Sequence, residues 1–130
     1  MLGRRFAKKK EIMKENQFEK DVRYWFIKKY KDTQIEKQLE SATFVGREWT
    51  KVGFYLKYKI ERDSDLIPIQ MTNNGVITGP YLKSPEIEMN GGSILWIRNG
   101  IVYLIELFAY GNRFEETITN YKLIDNAEEI

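Results

Sequence analysis

Residues Gly91–Asn112 read GGSILWIRNGIVYLIELFAYGN. Asn99 and Gly100 stand between two apolar runs, and an Asn-Gly pair supplies the positive φ angles that a two-residue hairpin turn needs to match strand twist. The stretch therefore predicts a β-hairpin, with one strand near Ser93–Arg98 and the other near Ile101–Tyr110. Both strands are apolar on both faces, so the pair is expected at the centre of a sheet. Alternation assigns Ile101, Tyr103, Ile105, Leu107 and Ala109 to one face and Val102, Leu104, Glu106 and Phe108 to the other. The first face carries no charge and is expected to pack on helices. Glu106 then points to the opposite, half-exposed face. A buried carboxylate without a partner is costly, so a partner is expected from Lys57, Lys59, Arg47, Arg98 or a tyrosine on a neighbouring strand. Three roles are open to it: a cross-strand ion pair, an anchor for a bound partner, or an acid in catalysis.

Outward from the hairpin, the period of two recurs. Val52, Phe54, Leu56, Tyr58 and Ile60 alternate with Gly53, Tyr55, Lys57, Lys59 and Glu61, which predicts an amphipathic strand. Another is expected over Thr43–Trp49. A charged turn spans Arg62–Asp65. LIPIQMTNNGVITG predicts a strand, a tight Asn74-Gly75 turn and a further strand, with Pro68 at an edge or a strand start. The segment GPYLKSPEIEMNGG is expected to wrap the surface or to contribute a short edge strand, with Gly91-Gly92 as a turn. Thr117–Ile124 reads as a last strand before an acidic tail.

The N-terminal part has a different period. Phe18, Val22, Trp25, Phe26 and Tyr30 follow helical spacing and form a stripe for a core. Glu15, Glu19, Lys20 and Arg23 lie off it, and Glu19–Arg23 is an i,i+4 pair in the favourable order. Thr33 with Glu36 has the capping-box pattern, predicting a short second helix that carries Ile35 and Leu39 inward. The expected fold is α+β: one or two N-terminal helices packed on a curled antiparallel meander of about five to six strands. The expected organisation is a basic leader over 1–12 and one domain over 13–130, with Met13 as an alternative start.

Composition excludes much chemistry. The 130 residues contain no histidine and no cysteine. A serine–histidine triad, a histidine-based metal centre, a thiolate nucleophile and a disulfide are all ruled out. Asp63/Asp65 and Glu86/Glu88 are the acidic pairs that could attract a divalent cation. DSDLIP lacks the later ligands and the glycine of a calcium loop, and Glu106 is not followed by the lysine expected beside a nuclease carboxylate. No metal or cofactor is expected. Arg98, Asn99 and Glu106 interrupt the longest apolar run, so no segment approaches the roughly 18 apolar residues of a membrane span. The net charge of +2 comes from the start: without the first ten residues, 16 Lys and Arg face 19 Asp and Glu. The body is mildly acidic behind a basic leader that lacks the apolar core of a secretory signal.

Two binding functions remain. Tyr55 with Lys57 and Lys59 on one strand, plus the basic leader, have the ingredients of a nucleic-acid platform. The alternative is a protein partner. Gly91, Gly92, Trp96, Asn99, Gly100, Leu104, Glu106, Phe108 and Tyr110 form a pattern of paired glycines, an apolar strand, an Asn-Gly turn, and a strand ending in Glu, an aromatic and a tyrosine. In this the chain resembles small bacterial immunity proteins that guard cells against polymorphic, contact-dependent toxins. The resemblance covers the hairpin and implies a non-catalytic, cytoplasmic inhibitor, monomeric or homodimeric, whose partner is a toxin C-terminal domain. On this reading Glu106, Tyr110, Trp96, Tyr55 and Lys57 are the partner-binding residues.

Overall fold

The structure, a computed structural model, describes residues 14–62, 66–71 and 75–126. The basic leader, Asp63, Asp65, Asn74 and residues 127–130 of the acidic tail lie outside the described residues. Among the described residues two helices, α1 (Gln17–Lys29) and α2 (Gln34–Ser41), precede seven strands: β1 (Thr43–Trp49), β2 (Gly53–Lys59), β3 (Val76–Thr78), β4 (Tyr81–Lys83), β5 (Gly91–Arg98), β6 (Ile101–Ala109) and β7 (Lys122–Ile124). All pairings are antiparallel, and the helices pack on one face, so the fold is α+β as expected, with more strands than the five to six read from the sequence.

The order along the sheet is β1-β2-β6-β5-β4-β7, with β3 pairing a second stretch of β5. The sheet is thus not a simple meander. β2 and β5 flank β6, which puts the β5–β6 hairpin at the centre. Asn99 and Gly100 have φ of 53° and 76°, the left-handed values that their turn predicts.

The helix-facing core is built from Phe18, Val22 and Phe26 of α1, Ile35 and Leu39 of α2, and the inward residues Phe54, Leu56, Tyr58, Leu95, Ile97, Ile105 and Leu107. Ile105, Leu107 and Ala109 take the predicted face. Val102 does not: it is buried opposite Ile97, because a bulge between Trp96 and Ile97 makes Tyr103 an extra residue and reverses the alternation at the strand start. The same core receives Phe114 and Ile118 from the chain between β6 and β7, so only Lys122–Ile124 of the predicted Thr117–Ile124 strand pairs.

Polar side chains decide several details differently from the local patterns. Thr33 makes no capping bond to α2 and instead donates to Tyr30 O, while Glu36 accepts from Asp32 N. The true capping box is Asn16 with Glu19 at α1. Glu19 is not on a solvated flank but 2% exposed. Its partner is Arg47, at 2.6 Å, while Arg23 bonds Glu15 and Leu39 O. Residues 66–71 join no strand; Ile69 N donates to Gly100 O, so the Pro68 segment lies over the hairpin tip. Gly91 and Gly92 begin β5 rather than forming a turn. A Cβ on Gly91 would sit 2.1 Å from the carbonyl oxygen of Phe108, so close pairing with β6 requires glycine there.

Candidate functional site

The face of the sheet away from the helices is the candidate site. Opposed residues of antiparallel strands share a face, so register alone assembles it. One row runs Glu48, Tyr55, Glu106, Ile94 and Thr78 across β1, β2, β6, β5 and β3. A second runs Lys57, Leu104, Trp96 and Val76. In a third, Phe108 stands between Gly53 and Gly92.

The five residues singled out from the sequence fall on this face or at its rim. Tyr55 and Glu106 are directly opposed. Trp96 is diagonal to Glu106, two residues beyond its partner Ile94, and its indole Nε1–H donates to Glu106 Oε1 at 3.0 Å. This replaces the basic and tyrosine partners expected for Glu106. Arg47 is on the helix side with Glu19, Lys57 bonds Glu48 at 3.1 Å, Lys59 lies 3.8 Å from Glu61, and Arg98 rests 4.4 Å from the ring centroid of Tyr103. Lys57 therefore belongs to the face but is already paired. Tyr110, just past β6, is exposed and packs edge-on to Phe108 at 5.7 Å. Burial and the nearby Tyr81 push its hydroxyl pKa up, so Tyr110 presents a protonated donor.

Phe108, Ile94 and Leu104 complete the patch and were not named as site residues. Phe108 was available from the phase of Leu104, Glu106 and Phe108 in β6. Ile94 was not, because its face depends on the pairing with β6 and β3. Gly92 matters for the same reason: a Cβ there would lie 2.8 Å from Phe108 Cζ and 3.0 Å from Tyr110 Oη, so the two rings rest over the bare backbone of β5.

The patch is an aromatic and aliphatic surface built around one carboxylate. Its centre is a half-buried carboxylate, held in orientation by an indole, with Oε2 lacking a partner among the described residues. Around it are two tyrosines, a tryptophan, a phenylalanine and aliphatic side chains. Among the described residues no group of acidic side chains is placed to hold a metal, and no helix is long and apolar enough to cross a membrane. Glu86 and Glu88 face other tasks: Glu86 accepts from Thr119 N and Asn120 N, both at 2.7 Å, and Glu88 accepts from Asn112 N. No family model, curated protein or solved structure matches the chain.

Proposed function

We propose that the chain is a non-catalytic protein-binding module that docks a partner protein on the helix-free face of its sheet. The observation that carries this is the Trp96–Glu106 pair set among Tyr55, Phe108 and Tyr110. A few residues near the centre of a protein interface carry most of its energy, and tryptophan and tyrosine are enriched among them. A fixed carboxylate oxygen between them accepts a lysine or arginine of the partner and sets its register. The immunity-type resemblance of the hairpin gives the reading its biological form: a cytoplasmic inhibitor that covers a basic toxin domain, toward which the acidic body of the chain steers association.

A nucleic-acid platform fits the same face less well. Glu106 repels phosphate from the middle of the aromatic patch, and Glu48 already neutralises Lys57. The test is capture of stoichiometric partners from the native host, followed by affinity measurements on variants. Trp96→Ala is expected to weaken binding by about 2 kcal/mol or more, roughly thirtyfold, and Glu106→Gln to weaken it by removing the charge. Wild-type affinity in both variants would sink the proposal. Recovery of nucleic acid alone, with affinity falling steeply in salt, would move the function to the alternative.

A further inference from the structure

A cleft of about 520 Å³ lies between α1 and the last strand, away from the face proposed for protein docking. It is lined by Tyr24, Trp25, Tyr121 and Leu123, by the carboxylates Asp21 and Asp125, and by Lys28 and Lys29. The two carboxylates are tied to aromatic walls. Trp25 Nε1–H donates to Asp125 Oδ1 at 2.6 Å, and Tyr121 O–H donates to Asp21 Oδ2 at 2.5 Å. Trp25 is held in turn edge-on against Phe26, at 5.3 Å between centroids, and Tyr121 against Phe18 at 4.7 Å. Asp125 Oδ2 has no partner among the described residues.

Aromatic faces beside fixed carboxylates attract organic cations, because the ring quadrupole and the counter-charge act together. The cleft already displays that chemistry in its own chain: the Lys28 ammonium sits 5.4 Å from the centroid of Tyr24, a ring 58% exposed. We propose that this cleft is a binding site for an alkylammonium group, with Lys28 occupying part of it until a ligand arrives. Tyr24, Trp25 and Tyr121 provide the ring surfaces, and Asp125 provides the balancing charge. Lys28 and Lys29, which also line the cleft, favour ligands that carry a negative group farther along.

Two sources of such a group are distinguishable, a small quaternary amine and the lysine side chain of a peptide. The indole N–H signal of Trp25, assigned by a Trp25→Phe spectrum, is followed by NMR while choline or an acetylated Gly-Lys-Gly peptide is added, with sodium chloride at equal ionic strength as reference. A saturable shift is expected at millimolar concentration, as befits a partly exposed cation–π site. Tyr24→Leu should weaken it about three- to fivefold, and Lys28→Ala should strengthen it by removing the competing cation. A stronger response to choline identifies a small-molecule site, and a stronger response to the peptide a side-chain site. A response no different from sodium chloride, or one unchanged by Tyr24→Leu, overturns the proposal. Tyr24 is mostly exposed, so this variant should fold, and neither substitution alters the proposed docking face.

Discussion

Gln38 is 2% exposed and has all its polar atoms engaged. Its Oε1 accepts from Val102 N at 2.9 Å, and its Nε2 donates to Gly100 O at 3.0 Å and Ile67 O at 3.2 Å. The amide thus joins α2, the hairpin tip and the Pro68 segment, beside the bulge at Tyr103 that interrupts regular pairing. Gln38→Leu should leave Val102 N–H buried without an acceptor and cost about 1–3 kcal/mol in denaturant unfolding. Tyr58 gives a second prediction. Its hydroxyl donates to Glu15 at 2.6 Å, and burial, then the Glu15 charge, raise its pKa far above the usual tyrosine value. A raised folded pKa gives stability that is complete below the unfolded value near 10 and fades above it, since only the unfolded chain then releases the proton. Tyr121, pushed up to about 12 by burial and its bond to Asp21, acts in the same direction. Stability measured against pH should therefore fall above about pH 10, by about 1.4 kcal/mol per unit for Tyr58, and Tyr58→Phe should remove that share of the slope. Neither role was legible in the sequence. Gln38 and Glu19 sit at helix positions that look solvated, and only distant partners, Val102 and Arg47, explain their burial.

Elements were easier to read than their partners. The hairpin, β2 and the stripe of α1 follow from turn chemistry and periodicity, which depend on neighbours a few residues apart. The pairing of β6 with β2, rather than with another strand, depends on contacts between distant segments and has no local signal. The same difference explains the site: Glu106 and Tyr55 were found from alternation and Trp96 from the resemblance of the hairpin, but their meeting is a product of register. At this scale β1 is an exposed edge, with Val45 54% exposed. The register shift between Phe44 and Gly46 breaks that edge, a device that discourages strand addition. The chain should sediment as a monomer at high concentration. Glu86 makes the other prediction of this kind. Backbone N–H groups of Asn120, then Thr119, lower its pKa, so its hold on the segment before β7 is present above the ordinary carboxylate range and is lost as pH falls below it. Hydrogen exchange at Thr119 and Asn120 should accelerate below about pH 4 relative to core amides, and Glu86→Gln should bring that acceleration to neutral pH.

For the whole molecule, the two faces of one sheet do different work. The helix side holds the fold, through an aromatic chain from Trp49 and Phe54 to Phe114, Phe18 and Tyr121. The open side holds the proposed interface, so the two should separate under mutation. Gly92→Ala tests this. Its new methyl meets the tips of Phe108 and Tyr110 rather than backbone, so partner affinity should fall while the unfolding midpoint changes little. Gly91→Ala, which meets a β6 carbonyl, should lower both.

The bonds between α1 and the last strand, Trp25 to Asp125 and Tyr121 to Asp21, each join residues 100 positions apart. A ribosome adding about 5–20 residues per second delivers the second partner roughly 5–20 s after the first. Until then Phe18 lacks the ring of Tyr121 that packs on it at 4.7 Å, and the Trp25 indole lacks its acceptor. The side of α1 that carries Asp21 and Trp25 therefore stays open during synthesis until residues 121–125 have been made.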